Sequence, residues 1–399
     1  MRTRLTLLLS AVTIFNAPPF AEAGETEVST TDYRSFDLYG SGISPMENTL
    51  NLDSVDIGVR PLTTLAEKWP EDLVIAPIPG YSPQLGWNLT LGGAYFLQIG
   101  DEDSKTPPSA VGGFVMGAEN GSYAYGGGAN LHLLNDDFRL KFGAAYMDVR
   151  YQFYGIGNKQ NESGIQLDLL QNGPMYFATG SFRVWKKLYL GLGYFSGEVD
   201  TRFRLVSPDE SFFDPTINLN LAAINVPIEI DSRDHEQFPR DGWLVKARGM
   251  IYRESVGSDF DAESFTVTAN RYLPMRDDDV LALRLHVKGT TENIPFFLLS
   301  SFGGSSDLRG YPSGRYRDRM MYAMQAEYRW QFKDRWILTG FAGVGEVAES
   351  FSNFGENFLP AGGVGTRFVL SDKHRVSLSA DLAVGKDGVE FYFGVGEAF

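Results

Sequence analysis

The chain has 399 residues and a formal net charge of -15, with 35 Lys and Arg against 50 Asp and Glu. A nucleic-acid partner is excluded on that balance, because neutralising phosphates takes clustered cations. There is no cysteine, which removes disulfides, thiolate metal sites and a lipidated N-terminal cysteine, while 14% aromatics and 44 glycines suit long strands with aromatic girdles.

Residues 1–23 carry Arg2 and Arg4, an apolar run over 5–15 and the small-x-small ending Ala21-Glu22-Ala23. This predicts a cleavable secretory signal, since the apolar run is too short to span a bilayer. Residues 24–84 are polar and without sustained period, which predicts a largely irregular periplasmic lead-in with one short helix over 62–68.

No later stretch offers the apolar length of a transmembrane helix, so a chain that spans a membrane must do so as strands closed into a barrel. Over 85–399, alternating segments follow one another between turn clusters such as Leu134-Asn135-Asp136-Asp137 and Gln171-Asn172-Gly173. Leu281, Leu283, Leu285 and Val287 interleave with Ala282, Arg284, His286 and Lys288. Met324, Ala326, Tyr328, Trp330 and Phe332 do so with Gln325, Glu327, Arg329 and Gln331, and Val376, Leu378, Ala380 and Leu382 with Ser377, Ser379 and Asp381. One face meets lipid and the other water. A soluble β-sandwich also alternates, but with shorter strands and denser outward charge. The expectation is an all-β transmembrane antiparallel barrel of about 16 strands, an even count as bacterial barrels require. Its longest connection, 291–319, falls between the eleventh and twelfth strands and is therefore an outward, extracellular loop.

That loop contains Gly303-Gly304-Ser305-Ser306-Asp307-Leu308-Arg309-Gly310-Tyr311. It resembles the Val-Arg-Gly-Phe/Tyr motif in the sixth extracellular loop of BamA/TamA-type barrels, the bacterial surface antigen family. The resemblance implies that this long extracellular loop is inserted into the lumen, with a latch of Leu308, Arg309, Gly310 and Tyr311 in which Arg309 is held by Glu327 on the following strand. The next family strand carries Phe-x-Asp-x-Gly, matched here by Phe341, Gly343 and Gly345, so Gly343 stands where the family has its second carboxylate. Glu346 is close by but has the opposite parity unless a bulge intervenes.

Further stretches resembling the family are Tyr154-Gly155-Ile156-Gly157, the turn of Asp231, Arg233 and Asp234 through Pro239 and Gly242, and the ending Phe393-Gly394-Val395-Gly396-Glu397-Ala398-Phe399. In that last strand Phe391, Phe393, Val395 and Phe399 share one face, interrupted by Glu397, and Phe393, Gly394 and Phe399 make a C-terminal assembly signal for the barrel-assembly machinery. Residues 24–84 leave no room for an array of POTRA modules, which implies a POTRA-less branch.

The family implies help with inserting or translocating proteins or lipids at an outer membrane, among lipid and lipopolysaccharide. A passive pore or structural barrel is the second expectation and a lipid-modifying enzyme the third. His132, His235, His286 and His374 are scattered, and His235 among Asp231, Asp234, Glu236 and Asp241 reads as turn chemistry rather than a metal site. No Gly-x-Ser-x-Gly elbow is present, and Gly126-Gly127-Gly128 and Gly362-Gly363-Val364-Gly365 lack the strand-to-helix setting of a phosphate loop. No cofactor or metal is expected. Lumen groups Lys246, Arg248, Arg284, His286 and Lys288 either tune anion passage or brace the inserted loop.

Overall fold

Period-two alternation builds sixteen wall strands that close into one antiparallel barrel, each paired with its sequence neighbour. They are β1 (Leu73–Ser82), β2 (Gly86–Leu97), β3 (Ser109–Ala118), β4 (Tyr123–Leu133), β5 (Phe138–Phe153), β6 (Leu167–Trp185), β7 (Leu188–Arg204), β8 (Thr216–Asp231), β9 (Gly242–Tyr252), β10 (Ala262–Pro274), β11 (Val280–Thr290), β14 (Met320–Lys333), β15 (Trp336–Ala348), β16 (Leu359–Ser371), β17 (Val376–Gly385) and β18 (Gly388–Val395). Between β11 and β14, the two-residue strands β12 (Ser300–Ser301) and β13 (Arg317–Asp318) pair inside the long loop. The computed structural model describes residues 72–82, 84–99, 106–157, 167–204, 216–235, 238–276, 278–304, 307–371 and 376–399. The expected signal at 1–23, the lead-in over 24–71 and the helix at 62–68 lie outside them.

The two faces are chemically opposite. Leu190, Leu192 and Tyr194 on β7, Val226, Ile228 and Ile230 on β8, and Met324, Tyr328, Trp330 and Phe332 on β14 are exposed on the outside, where lipid is the solvent. The interleaved Gln325, Glu327 and Arg329 are buried in the lumen, as are His286 and Asp381 on their strands.

Three details depart from the sequence expectations. The barrel begins at Leu73, inside the stretch expected to be lead-in, because Pro77 and Pro79 disguise a strand. The Asp72 carbonyl accepts from Phe96 N–H, so even positions of β1 bond β2 and odd positions turn their main chain toward β18. Both prolines therefore fall on the side where a missing N–H costs least. Along that side β1 and β18 share one register pair, Tyr81 with Phe393, against the full run from Leu73↔Tyr95 to Ser82↔Gly86 on the other.

Second, Gln171-Asn172-Gly173 is no turn but the interior of β6, with unbroken register to β5. Ladders on both sides override local turn chemistry; Gly173, at φ 152°, brings its backbone so close to the Glu198 carbonyl that no Cβ would fit. Third, Phe399 does not share the outward face of β18. The strand ends at Val395, Gly396 turns at φ 91°, and the Phe399 ring packs in the lumen against Tyr272, Val280 and Ala282. Continuing the strand would have put the Glu397 carboxylate into lipid, where a charge is expensive.

Candidate functional site

The loop over 291–319 folds back into the barrel on a small apolar body of Phe302, Leu308, Tyr311 and Tyr316 packed on Met321, Ala323, Val347 and Leu359 of the wall. This anchors the segment whose next residue, Arg309, is 0% exposed. Arg309 Nη2 lies 2.6 Å from Glu327 Oε2, an ion pair by distance rather than an aligned hydrogen bond. Its Nη1 donates to Asp381 Oδ2 at 2.8 Å, its Nε to Gln325 Oε1 at 3.2 Å, and its guanidinium lies 3.5 Å from the centroid of the Phe341 ring.

Around that residue the wall supplies two further arginines and a third carboxylate. Arg367 on β16 grips Asp381 with two bonds, 2.5 and 3.2 Å, and Arg329 Nε donates to Glu327 Oε1 at 2.7 Å. Glu397, just past β18, takes Arg367 at 3.2 Å and Arg329 at 3.5 Å, and Arg329 also donates to the Phe399 carbonyl at 2.7 Å. Arg309, Arg329 and Arg367 thus interleave with Glu327, Asp381 and Glu397 in a buried network in which every charge meets an opposite one, as charge held away from water requires.

The residues after Arg309 are held by the same stretch of wall, by β16 and the β17–β18 hairpin. Gly310 N–H donates to Tyr392 Oη at 3.1 Å, Tyr311 Oη donates to the Pro360 carbonyl at 2.7 Å and accepts from Lys386 N–H at 3.1 Å. Before Arg309, Asp307 faces Arg284 at 3.3 Å, His286 at 3.7 Å and Lys288 at 3.7 Å. Burial alone would raise its carboxyl, but His286, Lys288 and Arg284 outweigh that and hold it well below the usual carboxylate range.

The position of Gly343 has a steric cause. A Cβ there would lie 2.7 Å from Leu308 Cδ1, and one at Gly345 would lie 2.9 Å from Leu308 Cδ2. The loop inserts its leucine where the related pattern has a carboxylate, and the second carboxylate comes instead from Asp381, two strands further round the wall. Sequence reasoning missed Asp381, Arg329, Arg367, Glu397, Gln325 and Tyr392 as members of this site; inward parity was the available signal for all but Glu397, whose parity along the strand is outward. Glu346 is engaged elsewhere, its carboxylate accepting from Gly355, Glu356 and Asn357 N–H at 2.8–3.0 Å.

The remaining motif residues lie apart from the latch. Asp231 pairs with Arg233 at 2.8 Å, Asp234 accepts from Arg240 and Asp241 N–H at 2.9 and 3.1 Å, and Pro239 and Gly242 complete this self-bonded turn between β8 and β9. His235 Nδ1 accepts from Phe238 N–H. Phe393 sits on the seam opposite Tyr81, and Gly394 pairs with Ser379. At the short-turn end, His132 Nδ1 meets Asp136 at 2.6 Å, but its Nε2 meets Asn130, and Ser109 Oγ accepts from the His132 main chain, so no hydroxyl is presented to that ring. At His132 the lipid-modifying expectation therefore gains no support; on the lumen wall Thr268 Oγ1 meets His286 Nδ1 at 2.8 Å.

A latched loop in a sixteen-strand barrel with one nearly unpaired seam is the arrangement on which the comparisons bear. The model of the Omp85 superfamily domain matches residues 121–399. The chain belongs to the Omp85 superfamily. It is accordingly a β-barrel of outer-membrane type. BamA from Haemophilus ducreyi lacking POTRA domains 1-3 is similar in structure at 14% identity and TM-score 0.59, covering 82% of this chain and 70% of that one. CdiB from Acinetobacter baumannii (12%, TM-score 0.53, 81% of this chain and 59% of that) and CdiB from Escherichia coli (12%, TM-score 0.55, 82% and 63%) are similar too. The chain spans about three-fifths of each CdiB chain. At these identities the likeness is one of fold. No curated protein matches the chain.

Proposed function

We propose that this Omp85 barrel inserts or translocates proteins or lipids at the outer membrane, opening along the β1–β18 seam while the Arg309 latch keeps the inserted loop on the wall beside it. The observation that carries this reading is the asymmetry of strand pairing. A seam of one register pair, edged by Pro77 and Pro79, costs far fewer ladder hydrogen bonds to part than any neighbouring strand pair. Tyr311, Tyr392 and Lys386 couple the loop to β18, so the latch and the seam act on the same strand. In this reading Leu308, Arg309, Gly310, Tyr311 and Glu327 form the latch, and Phe393, Gly394 and Phe399 serve the barrel-assembly machinery during biogenesis. Lipid and lipopolysaccharide are its surroundings and a protein or lipid its cargo.

Gly343 in place of the related carboxylate would favour a passive pore by weakening the latch, and with Leu308 filling that space and Asp381 supplying the carboxylate that argument falls. The test is a quantitative outer-membrane proteome with lipid asymmetry assayed in parallel, in the native host with the gene, without it, and with Tyr81→Cys/Phe393→Cys. Register partners in an antiparallel ladder sit about 4.5–5.5 Å apart at Cα, within disulfide reach, and the chain has no other cysteine to interfere. Selective loss of a few barrels or of asymmetry on deletion, reproduced by the oxidised pair and relieved by reductant, is the expected outcome. An unchanged membrane on deletion would return the reading to a pore or structural barrel.

A further inference from the structure

The lumen wall formed by β9, β10 and β11 concentrates positive charge in a strongly acidic chain. Register sets Arg248, Thr266 and Lys288 in one row and Lys246, Thr268 and His286 in the next, with Arg284 beyond. Each row spans two strand spacings, about 10 Å. Four permanent cations there face three carboxylates, Asp307 from the inserted loop and Glu229 and Asp231 from β8, of which Glu229 is already paired with Arg139 and Asp231 with Arg233.

The β11 side of this wall already holds an anion. Asp307 reaches in from the loop and meets Arg284, His286 and Lys288. The β9 side does not. Lys246 approaches Glu229 only at 4.0 Å and keeps 48% of its side chain exposed although it points into the barrel, so water reaches it there. Among the described residues Arg248 makes no ion pair and no side-chain hydrogen bond, and the buried His286 Nε2 and Arg284 Nε have no hydrogen-bond partner. Lys141, across on β5, lies within electrostatic reach of Glu229 and Lys246 and adds to the field.

We propose that Arg248, Lys246 and Lys288, with the Thr266 hydroxyl between them, form a lumenal binding site for a phosphate group. A guanidinium fork beside two ammonium groups suits an anion with three oxygens and more than one negative charge, which it can neutralise where the single carboxylate of Asp307 cannot. The wall selects phosphate-bearing cargo as it enters the lumen, and Asp307 competes for its edge, so that anion binding and loop position are coupled. The site deepens the transport reading and rests on it only for its use in the cell, because binding itself is measured without any cargo being moved.

The test is isothermal titration of the full chain folded in an uncharged detergent, with inorganic pyrophosphate in one arm and short-chain phosphatidic acid in the other. At low salt at least one probe binds, the affinity falls as salt is raised, and Lys246→Gln/Arg248→Gln weakens it at least tenfold while the heat-modifiable band stays as in the parent. Tighter binding of phosphatidic acid than of pyrophosphate by the parent, lost in the variant, assigns the source as a lipid headgroup; the reverse order assigns a free anion. Absence of binding by both probes, or equal binding by parent and variant, overturns the site. Binding with an unchanged proteome on deletion would leave the site standing and remove the transport reading.

Discussion

On the wall from β14 to β18, Arg309 and Arg367 find their carboxylates on other strands or on the chain beyond β18, and Arg329 joins its strand neighbour Glu327 to Glu397 beyond β18. At the short-turn end of β4 to β8 the pattern is more local. Asp136, in the turn after β4, takes His132 four residues before it and Arg139 three after, and only then Arg183 and Tyr189 from the neighbouring hairpin. The first network joins elements that could otherwise part, next to the seam; the second ties together strands already laddered along their whole length. Charges at the latch therefore hold a conformation, whereas charges at the short-turn end reinforce one that the ladders already fix.

The contrast predicts a graded series of effects. Arg309→Ala leaves Glu327 and Asp381 buried with fewer cations and is expected to cost about 3–5 kcal/mol, read as a lower midpoint of the heat-modifiable band and a loop open to protease; parent-like behaviour would mean that the network is ornamental. Glu327→Ala is expected to behave similarly.

Gly343→Asp supplies the carboxylate of the related pattern yet sets its Cβ against Leu308 and the Met324 carbonyl. Overpacking of this kind costs about 1–3 kcal/mol. A rise in the urea midpoint instead would show that the carboxylate is preferred at that position.

Asp136→Asn tests the other region. Burial pushes the Asp136 carboxyl up, but Arg139, His132 and Tyr189 outweigh it and hold the group far below its ordinary value. A depressed folded pKa contributes stability that is fully present above the unfolded value, about 3.9, and is lost as pH falls through that value toward the folded one. The parent is expected to lose stability steeply below about pH 4 and the variant less so; parallel acid limbs in the two proteins would break the comparison. The smallest effect belongs to Arg240→Ala, which removes a partly exposed pair with Asp278. Such pairs contribute under about 1 kcal/mol, so an unchanged unfolding midpoint in moderate salt is expected.

How much could be read in advance differs between these regions for the same reason. Strand faces such as Met324 to Phe332 were legible because alternation is local and lipid enforces it, and the pairing of Arg309 with Glu327 was legible because a motif travels with its neighbours in sequence. The strand hidden by Pro77 and Pro79 was not, since prolines mark a break unless the neighbouring edge happens to be free. Gly173 deceived in the opposite direction, a turn signal overruled by ladders on both sides. The ending at Phe399 depended on where Glu397 could find cations, and those lie on β14 and β16.

The sequence by itself determined that strands alternate, that sixteen or so of them must close on themselves, and which long connection carries the arginine, because each of these follows from short-range periodicity and from the absence of water in the membrane. Tertiary structure alone decided that Asp381 serves Arg309, that Leu308 needs Gly343, and that Arg248 stays without an ion pair while Lys246 meets Glu229 only at 4.0 Å. Those outcomes depend on which strands stand opposite one another across a lumen, and barrel closure brings together residues whose separation along the chain carries no trace of their meeting.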